Sequence, residues 1–140
     1  MLLYVKQMLK CSKEQMKSIL YFCEDKLKCI SDDPKYNGFI VFLFHLLFYF
    51  ITIYFLYFYP ISLIFYLVIF IWIIVLASNF YFRGCILTKL ERHLWNTNTW
   101  YGPYYMFWDF ENLSYNNIIN IFICQKICMI SLLFLRILFR

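Results

Sequence analysis

Between residues 39 and 81 the chain carries no Lys, Arg, Asp or Glu, and the run is interrupted only at Tyr59-Pro60. Its halves, residues 39–59 and 61–81, are each about 20 residues long, enough at ~1.5 Å per residue to cross the ~30 Å hydrocarbon layer of a bilayer. A helix in a soluble core keeps a polar side, whereas these segments are apolar on every face, as a helix bathed in lipid must be. Pro60 sits where a tight turn is needed, so the pattern predicts an antiparallel hairpin of two transmembrane helices. Tyr54, Tyr57 and Tyr59 near the turn, and Tyr81 at the far end, fall where interfacial aromatic belts lie.

The flanks have a different periodicity. Residues 2–30 read as an amphipathic helix, with Lys6, Lys10, Lys13 and Lys17 stacked along one stripe. Val5, Met8, Leu9, Met16, Ile19, Cys23 and Leu27 collect on the reverse side. Such a helix suits the headgroup region of a membrane, its lysines meeting anionic lipid and its apolar side sinking toward the acyl boundary. It equally suits packing on a neighbouring subunit. Ser31-Asp32-Asp33-Pro34 ends it, because proline disfavours the helical conformation of the residue before it.

Residues 118–139 form a third apolar stretch that includes Asn120, Gln125, Lys126 and Arg136. A central Lys opposes insertion by about 2.5–3.5 kcal/mol. Phe, Ile and Leu, at up to about −0.6 kcal/mol each, outweigh one such charge over the stretch. Lys126, Arg136 and Arg140 share one side of the helical wheel, so the reading is a span that keeps this cationic stripe against protein or toward the rim. A helix lying in the interface is the alternative. The expected fold class is therefore an all-α membrane protein: an N-terminal interfacial arm over residues 1–38, then a transmembrane domain with three spans.

Residues 82–117 are the polar connection. Thr88-Lys89-Leu90-Glu91 has the form of a capping box opening a short helix through Trp95. Beyond it, Trp100, Tyr104, Phe107, Trp108 and Phe110 are too many large rings for a solvated loop, which points to the membrane interface or to a docking surface led by Trp100 and Trp108. The arm and this connection together hold ten of the thirteen basic residues. The positive-inside rule then puts both on the cytoplasmic side, or on the matrix side in a mitochondrion.

Composition narrows the class of function. Only 15% of residues are charged, against about 25% in soluble domains. The 140 residues are mostly consumed by spans, which leaves no room for a separate catalytic domain. Cys11, Cys23, Cys29, Cys85, Cys124 and Cys128 contain no C-x-x-C pair, and the expectation is inert thiols and no metal. No phosphate-binding loop, no nucleophile–base pair and no carboxylate within a span stands out. The net charge of +5 sits beside the spans, which suits lipid headgroups or acidic subunits and not nucleic acid. The two histidines, His45 in the first span and His93 in the connection, are the candidate ligands of a b-type haem.

Three glycines and three prolines, with Phe, Tyr and Ile in excess, give a composition that resembles organelle-encoded proteins of AT-rich protist genomes. Glu91-Arg92-His93-Leu94-Trp95-Asn96 is similar to the Arg-His-Leu-x-Trp stretch of the succinate dehydrogenase membrane anchor, and an amphipathic helix followed by three spans is similar to that layout. The family's haem-ligating His precedes the Arg by about two turns, where this chain has Cys85. The resemblance implies a small membrane subunit of a protist mitochondrial respiratory complex, in the inner membrane with its basic side toward the matrix. The leading expectation is a non-catalytic subunit of a respiratory complex or ATP synthase, with other membrane subunits and anionic lipids as partners. A haem- or quinone-binding anchor and a free-standing transporter or viral membrane protein are the alternatives.

Overall fold

The computed structural model describes residues 2–103, 110 and 112–139, with side chains from residue 11 onward. Expectations resting on Trp108, Tyr104, Phe107, Arg140 and the side chains of Lys6 and Lys10 lie outside the described residues. The described residues form five α-helices: α1 (Leu2–Leu27), α2 (Pro34–Tyr57), α3 (Leu63–Phe82), α4 (Ile86–Trp95) and α5 (Tyr115–Leu138). Three of them, α2, α3 and α5, are long and apolar enough to cross a membrane, as a multi-pass membrane protein requires.

Boundaries follow local chemistry. Pro34 does not merely end α1; it opens α2 at the position where its missing N–H is harmless, and the Asp33 carboxylate accepts from the Lys35 amide. The first span thus begins earlier than the apolar pattern suggests, and α1 stops at Leu27. The turn is longer than Pro60 alone, because α2 closes at Tyr57 and α3 opens only at Leu63. Ser114 caps α5 by accepting from the Asn117 amide.

The hairpin is antiparallel. Leu56 packs near Phe65 by the turn, and deeper in the bundle the fully buried Trp72 fills the space between α2 and α3. Its indole N–H donates to the Thr52 hydroxyl at 3.0 Å, and Phe48 and Tyr49 stack around its ring. Leu133 of α5 completes this cluster. Helix α5 runs from the α4 end of the molecule back to the turn, where Arg136 donates to the carbonyls of Phe55 and, at 2.6 Å, of Tyr59. It traverses the full length of the hairpin, the course of a span and not of an interfacial helix.

The apolar side of α1 lies on this chain's own α4 and α3. Leu20, Cys23 and Leu27 pack with Val41, Leu90 and Leu94, Ser12 donates to the Tyr81 carbonyl, and the Tyr81 hydroxyl donates to Gln15. Lys13 and Lys17 face outward. The arm and the connection therefore share one end of the bundle. Gly38 lets α4 approach α2: a Cβ at that position would collide with the Trp95 indole, whose N–H donates to the Lys35 carbonyl at 3.0 Å.

This arrangement makes a topology prediction. In otherwise cysteine-free protein, K17C and N98C are expected to react with an impermeant maleimide from one face of sealed vesicles, and F58C from the other. Labelling of all three from one face would refute the hairpin's course.

Candidate functional site

The described part of the connection, residues 82–103 with Phe110, packs into the bundle. Helix α4 presents Leu90 and Leu94 to α1 and α2, which leaves Thr88 and Glu91 facing inward beside Cys85 at its N-terminus. The expected capping box does not form. Helix α4 opens two residues ahead of Thr88, the Thr88 hydroxyl is buried without a partner, and Glu91 turns to other groups. The physical reason is competition: buried donors elsewhere in the fold hold the Glu91 carboxylate more firmly than an exposed cap amide would.

Those donors are His45 and Trp100. Glu91 Oε1 lies 2.8 Å from His45 Nδ1, with both residues almost fully buried, and the Trp100 indole N–H donates to Oε2. A carboxylate oxygen accepts here, so a hydrogen of the imidazole sits on Nδ1 and Nε2 is turned to the next group in line. Cys85 Sγ stands 3.7 Å from that Nε2. The three groups form a chain, carboxylate to imidazole to thiol, the connectivity that activates a nucleophile. Gly102, at φ +74°, brings its backbone over the same place: a Cβ there would lie 2.8 Å from the Thr88 hydroxyl and 3.4 Å from the His45 ring.

Burial by itself pushes the Cys85 thiol up, but the hydrogen bond and charge of His45 outweigh it. The charge of Lys126 and the Thr88 amide act in the same direction, so the thiol is pulled down to about 6. Lys89, outside the spans, is held below its usual range by burial and by the nearby Arg92.

A cavity of about 320 Å³ opens beside the thiol, lined by His45, Phe48, Tyr49 and Lys126 together with Ile74, Val75, Ser78, Asn79, Ile86 and Leu87. Its walls come from α2, α3 and the start of α4, with one residue from α5, and they are mostly apolar. Asn79 donates to the Val75 carbonyl, while its own Oδ1 is buried without a partner. A second space of about 20 Å³, room for one water, lies on the other side of Cys85 among Arg83, Lys89, Arg92 and Tyr101.

The remaining site candidates are dispersed. His93 faces away from His45: its Nε2 lies 2.8 Å from Glu24 of α1, with Tyr21 edge-on to the ring. The two histidines thus belong to separate pairs, and both ring nitrogens of His45 are already engaged by Glu91 and Cys85. Among the described residues no cluster of His, Cys, Asp and Glu is placed to hold a metal ion. Trp100 packs inward against Phe42 and Trp95, and Phe110 is buried against Tyr101 and Phe122. Lys126 is fully buried within the chain, next to the cavity, and Arg136 is spent on backbone carbonyls.

Sequence reasoning missed Cys85 and Glu91. The signal available to it was the three-residue recurrence of Cys85, Thr88 and Glu91, which puts polar groups on one face of a helix beside a buried histidine. No protein-family model, curated protein or solved structure matches the chain.

Proposed function

We propose that this chain is a non-catalytic integral subunit of a larger membrane assembly, with the mitochondrial inner membrane as its setting and its basic end toward the matrix. The observation that carries the reading is a cluster of exposed apolar side chains outside the apolar run. Tyr21 and Phe22 on α1, Ile30 in the link and Tyr36 at the start of α2 are each more than half exposed, at the end of the bundle that also bears the lysines. Lipid covers the exposed flanks of α2, α3 and α5, but acyl chains do not reach this charged end. A neighbouring protein supplies both apolar cover for the rings and acidic partners for Lys13, Lys17 and Lys26.

The cations of the third span do not argue for a partner in the way the sequence suggests. The stripe is kept against protein by this chain itself, which encloses Lys126 and occupies Arg136. The support for assembly rests instead on the α1 face. Native electrophoresis of membranes solubilised in mild detergent tests it. The chain is expected in a high-mass band with other membrane proteins, and Y21A/F22A is expected to shift it to free protein. Migration of the unaltered chain as a small monomer or homodimer would end the reading.

A further inference from the structure

We propose that Cys85 is an acyl-acceptor thiol, taking a fatty acyl group from an ester or thioester donor and holding the acyl chain in the cavity between the spans. The inference concerns a modification within this chain and is independent of whether the chain has neighbours.

Three independent features point the same way. The first is the Glu91–His45–Cys85 chain of contacts, buried throughout, in which the carboxylate fixes the imidazole tautomer and the imidazole faces the thiol. The second is the cavity, whose Phe48, Ile74, Val75 and Leu87 walls accept an alkyl chain and which is bordered by residues of all three candidate spans. The third is the polar equipment around the sulfur. Lys126 lines the same cavity, Asn79 Oδ1 and Thr88 Oγ1 are buried without partners among the described residues, and Arg83, Lys89 and Arg92 border a small space next to the sulfur. An acyl chain ending in a carbonyl matches these surfaces, its tail against the apolar walls and its carbonyl beside the polar groups next to the sulfur.

The step balances without any oxidant. His45 Nε2 holds the proton given up by the Cys85 thiol, and the sulfur attacks the acyl carbonyl as a thiolate. Negative charge develops on the carbonyl oxygen, where the Lys126 ammonium favours it. The carbon–oxygen or carbon–sulfur bond to the donor's head then breaks, and the departing alcohol or thiol receives the proton from His45. The products are Cys85 S-acyl thioester and the free alcohol or thiol.

The groups facing the sulfur are His45 from α2, Lys89 and Glu91 from α4 and Lys126 from α5, with the cation of Arg83 beyond them. With the thiol near 6, the thiolate fraction and hence the acylation rate should rise through that pH and level off above it.

The test uses the full chain reconstituted in phosphatidylcholine vesicles, supplied either with palmitoyl-CoA bearing a terminal alkyne or with the same alkyne built into the vesicle lipid. Peptide mapping is expected to find a hydroxylamine-labile acyl group on Cys85. Label from the first donor identifies a thioester source and label from the second an oxygen ester, and either supports the proposal. C85S, which changes one atom, should lose the label, and C29S and C128S should keep it. H45Q should slow labelling about 100-fold or more and move the pH rise toward the ordinary thiol range of about 8.5. Absence of label on Cys85 from both donors would overturn the proposal. So would equal labelling of the exposed Cys11 and Cys29, or an unaltered rate in H45Q.

Discussion

Glu91→Ala is expected to destabilise the chain by about 3–5 kcal/mol, the range for removing one partner of a buried charged pair. The carboxylate is fully buried and uses both oxygens, one toward His45 Nδ1 and one toward the Trp100 indole. Its loss strands the buried His45 donor, at about 1–3 kcal/mol, and the half-buried Trp100 indole at less, and opens a void where α2, α4 and the Trp100 segment meet. Glu91→Gln separates charge from connectivity. The amide has one acceptor oxygen, so it serves His45 or Trp100 but opposes its own NH₂ to the other, and about half the loss should remain. The measurement is thermal unfolding in detergent micelles followed by circular dichroism. Equal midpoints for Glu91→Ala and the unaltered chain would refute the role assigned to this carboxylate.

Trp72→Ala should have the second large effect, in the middle of the bundle. The indole is fully buried between α2 and α3, ringed by Phe48 and Tyr49 and tied to Thr52. Trp→Ala in soluble cores removes about 3–5 kcal/mol. Here the lower end of that range applies, because lipid offers a released side chain an apolar environment and only packing and the hydrogen bond are forfeited. Trp72→Phe keeps most of the packing and should lose only about 0.5–1.5 kcal/mol, the worth of the bond to Thr52. Thr52 stays satisfied in either variant, since its hydroxyl still donates to the Phe48 carbonyl. Steric trapping or unfolding by a denaturing detergent reads the order Trp72→Ala well below Trp72→Phe. Equal midpoints for the two variants would mean the hydrogen bond, not the ring, joins the two spans.

The hairpin was legible in the sequence because a bilayer imposes a rule on every residue of a span: an uncharged run either fills the hydrocarbon thickness or it does not. Residues 39–81 satisfy that rule without any knowledge of partners. The site was not legible, because its members lie far apart in the chain and each has an ordinary local reading. His45 looks like a packing residue, Cys85 like a small hydrophobe and Glu91 like the second half of a cap. Only the docking of α4 onto α2 brings the carboxylate 2.8 Å from the imidazole, and nothing in local periodicity encodes that docking. The same blindness affected Lys126 and Arg136. Insertion scales treat a helix alone in lipid, so they assign the charge a penalty that this fold removes by enclosing Lys126 and by aiming Arg136 at free carbonyls.

That last contact bears on how the chain enters its membrane. If the basic end faces the electrically negative side, as proposed, Arg136 has to be carried to the opposite face, against about 2.3 kcal/mol per 100 mV of potential for a full crossing. The carbonyls of Phe55 and Tyr59 that receive it exist as a cluster only after α2 has closed at the turn. On that orientation, completion of the third helix's crossing is expected to depend on a hairpin already in place, with insertion in the order of the chain.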